Sequence, residues 1–118
     1  MQTILVTGGA GFIGANFALK ARRQNWAEVV NLDKLTYAGN LQTLAQLSSD
    51  SSYHFVQGDI GNTELVSYLL MKYQPQAIVN FAAESHVDRS IASPDEFIQT
   101  NVVGTFHLLE ATRLYWKS

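Results

Sequence analysis

The sequence predicts an α/β fold: a parallel sheet wound on both faces by helices, with strand order 3-2-1-4. Three observations carry that reading. Short apolar runs alternate with longer amphipathic stretches along the chain, a pattern that calls for parallel strands joined by right-handed crossovers. The first run, Ile4-Leu5-Val6, passes at once into a glycine-rich turn that opens a helical pattern. A later run, Ala77 to Phe81, is apolar without alternation, as expected of a strand covered on both faces.

The elements follow in order. Strand one is read at Thr3 to Thr7, and Phe12, Ile13, Phe17, Ala18 and Leu19 begin a helix that runs to about Gln24. Strand two is Glu28 to Leu32. The stretch from Lys34 to Asn40 is rich in turn formers, and Leu41, Leu44, Ala45 and Leu47 suggest a short, weakly amphipathic helix. Polar residues 48–52 make a loop. Tyr53 to Gln57 is strand three, and a helix from Thr63 to Tyr73 is stopped by Pro75. Strand four is Ala77 to Phe81. Ser93-Pro94-Asp95-Glu96 is a capping box with proline at the first helical position, so the last helix should run from Pro94 to about Trp116, interrupted only by Gly104. No repeat, low-complexity tract or linker divides the chain.

The glycine turn carries chemistry. Gly9, Gly11 and Gly14 match Gly-x-Gly-x-x-Gly, and Gly8, Gly11 and Gly14 match a variant with one more intervening residue. A pyrophosphate can approach a backbone only where no side chain blocks it, and the last glycine lets the helix lie close to the strand. Free N–H groups at the helix start then face the phosphates. Such a turn means little without context: it must follow a strand, open a helix and precede an acid by about twenty residues. Asp33, at the end of strand two, is that acid. Its carboxylate can accept both ribose hydroxyls and would repel a 2′-phosphate, so NAD is expected over NADP. The plain alternative is that Asp33 is a turn or cap acid.

Composition narrows the remaining classes. The chain has 118 residues, the size of one domain, and 47% of them are apolar, enough for a core. A net charge of −2 with scattered Lys and Arg argues against nucleic acid or a membrane surface as partner. There is no cysteine, which excludes disulfides and thiolate metal sites. The first strand begins too early to leave room for a signal peptide, and no run reaches membrane-spanning length, so a cytoplasmic protein is expected.

Four stretches carry a family resemblance: Thr7-Gly-Gly-Ala-Gly-Phe-Ile-Gly14, Asp33-Lys-Leu-Thr-Tyr-Ala-Gly-Asn40, Gly58-Asp-Ile60 and Asn80-Phe-Ala-Ala-Glu-Ser-His-Val-Asp-Arg-Ser-Ile91. The chain resembles the amino-terminal part of the extended short-chain dehydrogenases/reductases. The second and fourth stretches place it with the nucleotide-sugar 4,6-dehydratases rather than the epimerases. The resemblance implies a Rossmann-like NAD-binding domain whose carboxy-terminal half and substrate domain lie beyond these residues. It implies that Gly8, Gly11, Phe12, Ile13 and Gly14 hold the pyrophosphate, and that Asp33, Lys34, Leu35, Thr36 and Gly39 surround the adenosine ribose and its phosphate. Asp59 and Ile60 would meet the adenine edge. Ala82 and Ala83 would lie beside the cofactor, Thr100 would reach it from the last helix, and Glu84, Ser85 and His86 would face a nucleotide-sugar substrate. The implied activity is NAD-dependent dehydration of a nucleoside-diphosphate hexose. The alternatives are another extended-family enzyme, such as a 4-epimerase, or a non-catalytic nucleotide-binding fragment.

Blander readings stand beside these. Asp59 could cap the helix that follows it. Glu84, His86 and Asp88 alternate, but no fourth ligand at a recognisable spacing supports a metal. Arg89 fits a phosphate and an acidic neighbour equally well. His54 and His107 read as ordinary strand and helix residues, and Phe97, Phe106, Tyr115 and Trp116 as packing. Tyr68 and Lys72 match Tyr-x-x-x-Lys, the pair with which the family deprotonates the sugar. In the family that pair follows strand five, whereas these two precede strand four and should face outward, so no catalytic residue is expected in this chain. Self-association is expected through the last helix or the open edge of strand four.

Overall fold

The central strand β1 (Gln2–Thr7) has apolar side chains on both faces. Leu5 and Val6 are both fully buried although they point in opposite directions, so the strand must be covered on two sides. The fold comes from a computed structural model that describes residues 2–8, 12–34, 45–81 and 99–117. Around β1 lie α1 (Phe12–Arg23), β2 (Ala27–Asp33), a short 3-10 turn (Ala45–Leu47), β3 (Tyr53–Gln57), α2 (Thr63–Tyr73), β4 (Ala77–Asn80), a π-helical turn (Gln99–Gly104) and α3 (Thr105–Lys117). The strands are parallel in the order β3-β2-β1-β4, as the sequence predicts.

That order fixes the layers. The chain moves outward from β1 to β2 to β3, then crosses back to β4. Right-handed crossovers in opposite directions put α1 and α2 on opposite faces. One face holds Leu5, Val30 and Leu32 beneath Val66, Leu69 and Leu70 of α2 and Leu108 and Ala111 of α3. The other holds Val6 and Val29 beneath Ala15, Ala18, Leu19 and Ala21 of α1, with Leu47 at the margin. The small residues on α1 let its axis approach the sheet closely.

Each helix end has a local cause. α1 stops at Arg23 because the chain turns left-handed at Asn25, φ 55°. The Trp26 amide bonds Ala21 O at 2.9 Å and the Asn25 amide bonds Arg22 O at 3.1 Å, closing the last carbonyls in a Schellman arrangement. α2 starts at an N-cap asparagine, Asn62, whose side chain accepts from the Leu65 amide at 3.2 Å. It ends at Gln74, φ 47°, whose amide reaches Leu70 O.

Two expectations and one plainer alternative need correction. β4 is not covered on both faces: Ala77 and Asn80 are exposed and Ile78 and Val79 half-buried, because among the described residues β1 is the only strand that pairs with it. The last helix departs from α geometry from Gln99 onward, not at Gly104 alone; the β-branched pair Val102 and Val103 followed by Gly104 weakens the ordinary ladder there. Asp59 does not cap α2, since Asn62 does. Strand ends otherwise shift by a residue or two: β1 begins at Gln2, β2 spans Ala27–Asp33, and β4 closes at Asn80. Of the short helix expected over 41–47, only Ala45–Leu47 is described, as a 3-10 turn, and the capping box at 93–96 lies outside the described residues.

Candidate nucleotide-binding site

The carboxyl ends of β1, β2 and β3 finish level with one another. Thr7 pairs with Leu32, and Asp33 with Gln57, so Gly8 follows β1 beside the last residue of β2. At the usual strand spacing, Gly8 stands about 5 Å from the end of β2 and about 10 Å from that of β3. Three residues or short segments expected to bind a nucleotide, Gly8, Asp33-Lys34 and Asp59-Ile60, are thereby brought to one edge of the sheet.

Gly8 shows why that turn needs glycine. Its φ is 73°, a left-handed conformation that costs any residue with a Cβ. Its amide bonds Leu32 O at 2.9 Å, one more rung of the β1–β2 ladder before the chain leaves the sheet. Phe12 opens α1, and Ile13 beside it is 68% exposed on the helix's first turn. Gly14 is buried with Ala15 and Ala18, which suits its role in helix–sheet approach. Gly9 and Gly11 lie outside the described residues.

Asp33 is the last residue of β2 and only 9% exposed. The Gly58 amide donates to its backbone oxygen at 2.9 Å, which ties the end of β2 to the turn after β3. Lys34 follows, its Nζ 3.6 Å from Asp59 Oδ2. The other Asp59 oxygen accepts from the Gly61 amide at 2.8 Å, so its carboxylate shapes the turn before α2. Ile60 is a core residue, packed with Leu5, Leu32 and Val66, so what it offers the edge is backbone. A carbon placed on Gly61 would stand 3.9 Å from the Gly104 Cα, so the π-helical turn, which includes Thr100, lies against the Asp59 loop.

Beneath Asp33 is a feature that periodicity does not reveal. Asn31 is fully buried on the α1 face of β2, and its Nδ2 donates to Tyr53 Oη at 3.0 Å. Its Oδ1 has no hydrogen-bond partner among the described residues, an arrangement that costs about 1–3 kcal/mol in a buried site. Burial pushes the Tyr53 phenol up; the bond from Asn31 works against that rise, and the Asp33 charge adds to it. A polar residue inside the run Val29-Val30-Asn31-Leu32 was the available sign.

On the other side of β1, the Phe81 amide reaches Thr7 O at 2.7 Å, and Thr7 Oγ1 donates to Asn80 Oδ1. The crevice between the carboxyl ends of β1 and β4 is where a sheet of this winding binds its ligand. Leu35, Thr36, Gly39, Ala82, Ala83, Glu84, Ser85 and His86 lie outside the described residues, as do Asp88 and Arg89. Tyr68 and Lys72 are on the solvent side of α2: Tyr68 is 56% exposed, with Lys72 Nζ 5.7 Å from its ring centre. Among the described residues no group of three acidic or histidine side chains could hold a metal, and no helix is long and apolar enough to cross a membrane.

A left-handed glycine after the first strand, a buried acid ending the second and a switch point between β1 and β4 are features of an α/β sheet of the Rossmann type. The family model described as GDP-mannose 4,6 dehydratase matches residues 5–118, and the chain belongs to that family. It is 64% identical over 118 residues to a dTDP-glucose 4,6-dehydratase of Xanthomonas campestris pv. campestris (strain B100), a match over 100% of this chain and 33% of that relative. The crystal structure of dTDP-glucose 4,6-dehydratase from Bacillus anthracis in complex with NAD superposes with a TM-score of 0.86 at 40% identity, over 98% of this chain and 34% of that one. A UDP-glucose 4-epimerase from Brucella ovis, also in complex with NAD, gives 0.83 at 33% identity, over 100% and 34%. The chain thus spans about a third of the length of these relatives.

Proposed function

We propose that this chain is the NAD-binding portion of a nucleotide-sugar 4,6-dehydratase acting on dTDP-glucose, a single Rossmann-like domain that is incomplete by itself. The observation that carries the reading is the pairing of Gly8, in a left-handed conformation that disfavours a side chain, with buried Asp33 on the adjoining strand end. The two fit a dinucleotide: bare backbone for the pyrophosphate and an acceptor for the ribose hydroxyls. Gly11, Phe12, Ile13 and Gly14 would complete the phosphate turn. Lys34, Leu35, Thr36 and Gly39 would close around the adenosine, Asp59 and the Ile60 backbone would meet the adenine, and Ala82, Ala83 and Thr100 would line the cofactor. Glu84, Ser85 and His86 would face the sugar nucleotide. The identity of 64% with a dehydratase, against 33% with the epimerase, favours dehydration over epimerisation.

The chemistry that bound NAD would supply is reversible hydride acceptance, with Gly8 and Asp33 among the residues that would hold it. This chain's own residues bind and orient. Removing the hydroxyl proton as hydride departs needs a base within hydrogen-bond reach, and Tyr68 and Lys72 stand outward on α2. We therefore expect the 118 residues to bind NAD without dehydrating dTDP-glucose. The exposed edge of β4 and the exposed Val102, Phe106, Leu109 and Trp116 on the last helical segment support self-association, which sedimentation would register as a species heavier than the monomer.

Calorimetric titration tests the cofactor reading. The chain should bind NAD more tightly than NADP, and Asp33→Asn should narrow the gap by about tenfold or more, the scale of losing one charged hydrogen-bond acceptor. Equal affinity for the two dinucleotides in the unaltered chain would remove Asp33 from its proposed role.

A further inference from the structure

We propose that Asn31 and Tyr53 are a buried positioning pair for Asp33, holding the carboxylate that selects between dinucleotides. The inference deepens the nucleotide-binding reading and rests on it. Alternation along β2 puts Val29, Asn31 and Asp33 on one face, the face covered by α1. Two residues along a strand rise about 6.6 Å, so Asn31 is the next side chain below Asp33. Tyr53 pairs with Val29 across the β2–β3 ladder, yet its phenol reaches Asn31, so its side chain leans toward the carboxyl edge.

Packing alone does not account for an amide at position 31. Its register neighbours are Val6 on β1 and Phe55 on β3, both apolar. Leucine would fill the place without an unpartnered oxygen. The hydrogen bond explains the amide better. Tyr53 Oη accepts from Asn31, so the phenol's own proton is not used in that bond, and Asp33 is the next acceptor side chain on the same face of β2. The phenol feels the Asp33 charge and is pushed up mainly by burial, so it stays a neutral donor around pH 7. A fixed dipole pair below Asp33 on the same face would bias the setting of its carboxylate, and with it how squarely ribose hydroxyls are met.

The test is calorimetry with NAD and NADP on the purified protein and its Tyr53→Phe and Asn31→Leu variants, with melting temperatures measured alongside. Tyr53→Phe keeps the ring, and Asn31→Leu removes the unpartnered oxygen. Each should weaken NAD about two- to tenfold, the effect of one positioned hydrogen bond, and narrow the NAD/NADP ratio. Asn31→Leu should do so without lowering the melting temperature, and the double variant should lose no more than the larger single loss, since the two act as a unit. NAD affinity unchanged in both variants would overturn the pair and leave the nucleotide site standing. Affinities for NAD and NADP falling in parallel with the melting temperature would make the pair merely structural, overturning it too. An unaltered protein that binds neither dinucleotide would overturn the nucleotide-binding reading and the pair with it.

Discussion

Removing the Asp50 carboxylate should loosen the edge of the sheet far from the nucleotide end, by an amount the structure lets one work out. Arg22, at the end of α1 and only 9% exposed, forks onto Asp50: Nε meets Oδ2 at 2.8 Å and Nη2 meets Oδ1 at 3.2 Å. Its Nη1 donates to Ala27 O at 2.8 Å, and Asp50 also accepts from the Ser52 amide at 2.9 Å. One side-chain pair thus ties α1, the start of β2 and the loop before β3. Hydrogen bonds to charged groups contribute about 1.5–3 kcal/mol each, but Asp50 is a quarter exposed and its share is screened. Asp50→Ala should therefore cost about 2 kcal/mol, a fall of about 8 °C in Tm for a domain of this size. The loss should depend on pH. The Arg22 hydrogen bond, then that of the Ser52 amide, hold the Asp50 carboxyl below its ordinary value. A depressed folded-state pKa gives stability that is complete above the unfolded value and disappears as pH falls through the folded one. The gap between the two proteins should be full at pH 7 and close under acid. Thermal unfolding across that range is the assay; no difference at pH 7, or a gap that persists after the carboxyl is protonated, would refute the reasoning.

Two further substitutions probe the helix ends. Asn62→Ala removes the side chain that accepts from the Leu65 amide and should cost about 1 kcal/mol in urea unfolding, with the slope unchanged. Gln74→Gly should stabilise by up to about 1 kcal/mol, because Gln74 holds a left-handed φ of 47° that glycine adopts without strain; a loss instead would mean that its side chain matters more than its backbone.

The sheet was legible because its determinants are local. Ile4-Leu5-Val6 running into glycines, the apolar run at 77–79 and the helical period of 63–73 each read correctly alone, and the crossover rule orders them. The lengths of the first two helices were legible too, but their left-handed caps at Asn25 and Gln74 were not, since neither carries the glycine that usually marks such a cap. β4 misled for a related reason: an apolar run records what a strand can bury, whereas its burial depends on which strands flank it. Around the candidate site, the left-handed turn at Gly8 and the acid ending β2 at Asp33 were legible, one from a turn that needs glycine and the other from its place at a strand end. Asn31 was not, because its meaning depends on Tyr53, twenty-two residues away on the neighbouring strand. Ile60 shows the limit in the other direction: the resemblance assigns it to the adenine edge, but its side chain belongs to the core.

The central claim is that NAD lies across the carboxyl ends of β1, β2 and β3. Titrating NAD into the 15N-labelled chain while following backbone amides tests this most directly. The resonances of Gly8, Lys34, Asp59 and Ile60 should move together and saturate, while those of Glu28, Asp50 and Ser52 at the opposite edge of the sheet stay in place. Saturable shifts confined to the opposite edge, or none at any of these amides, would contradict the account.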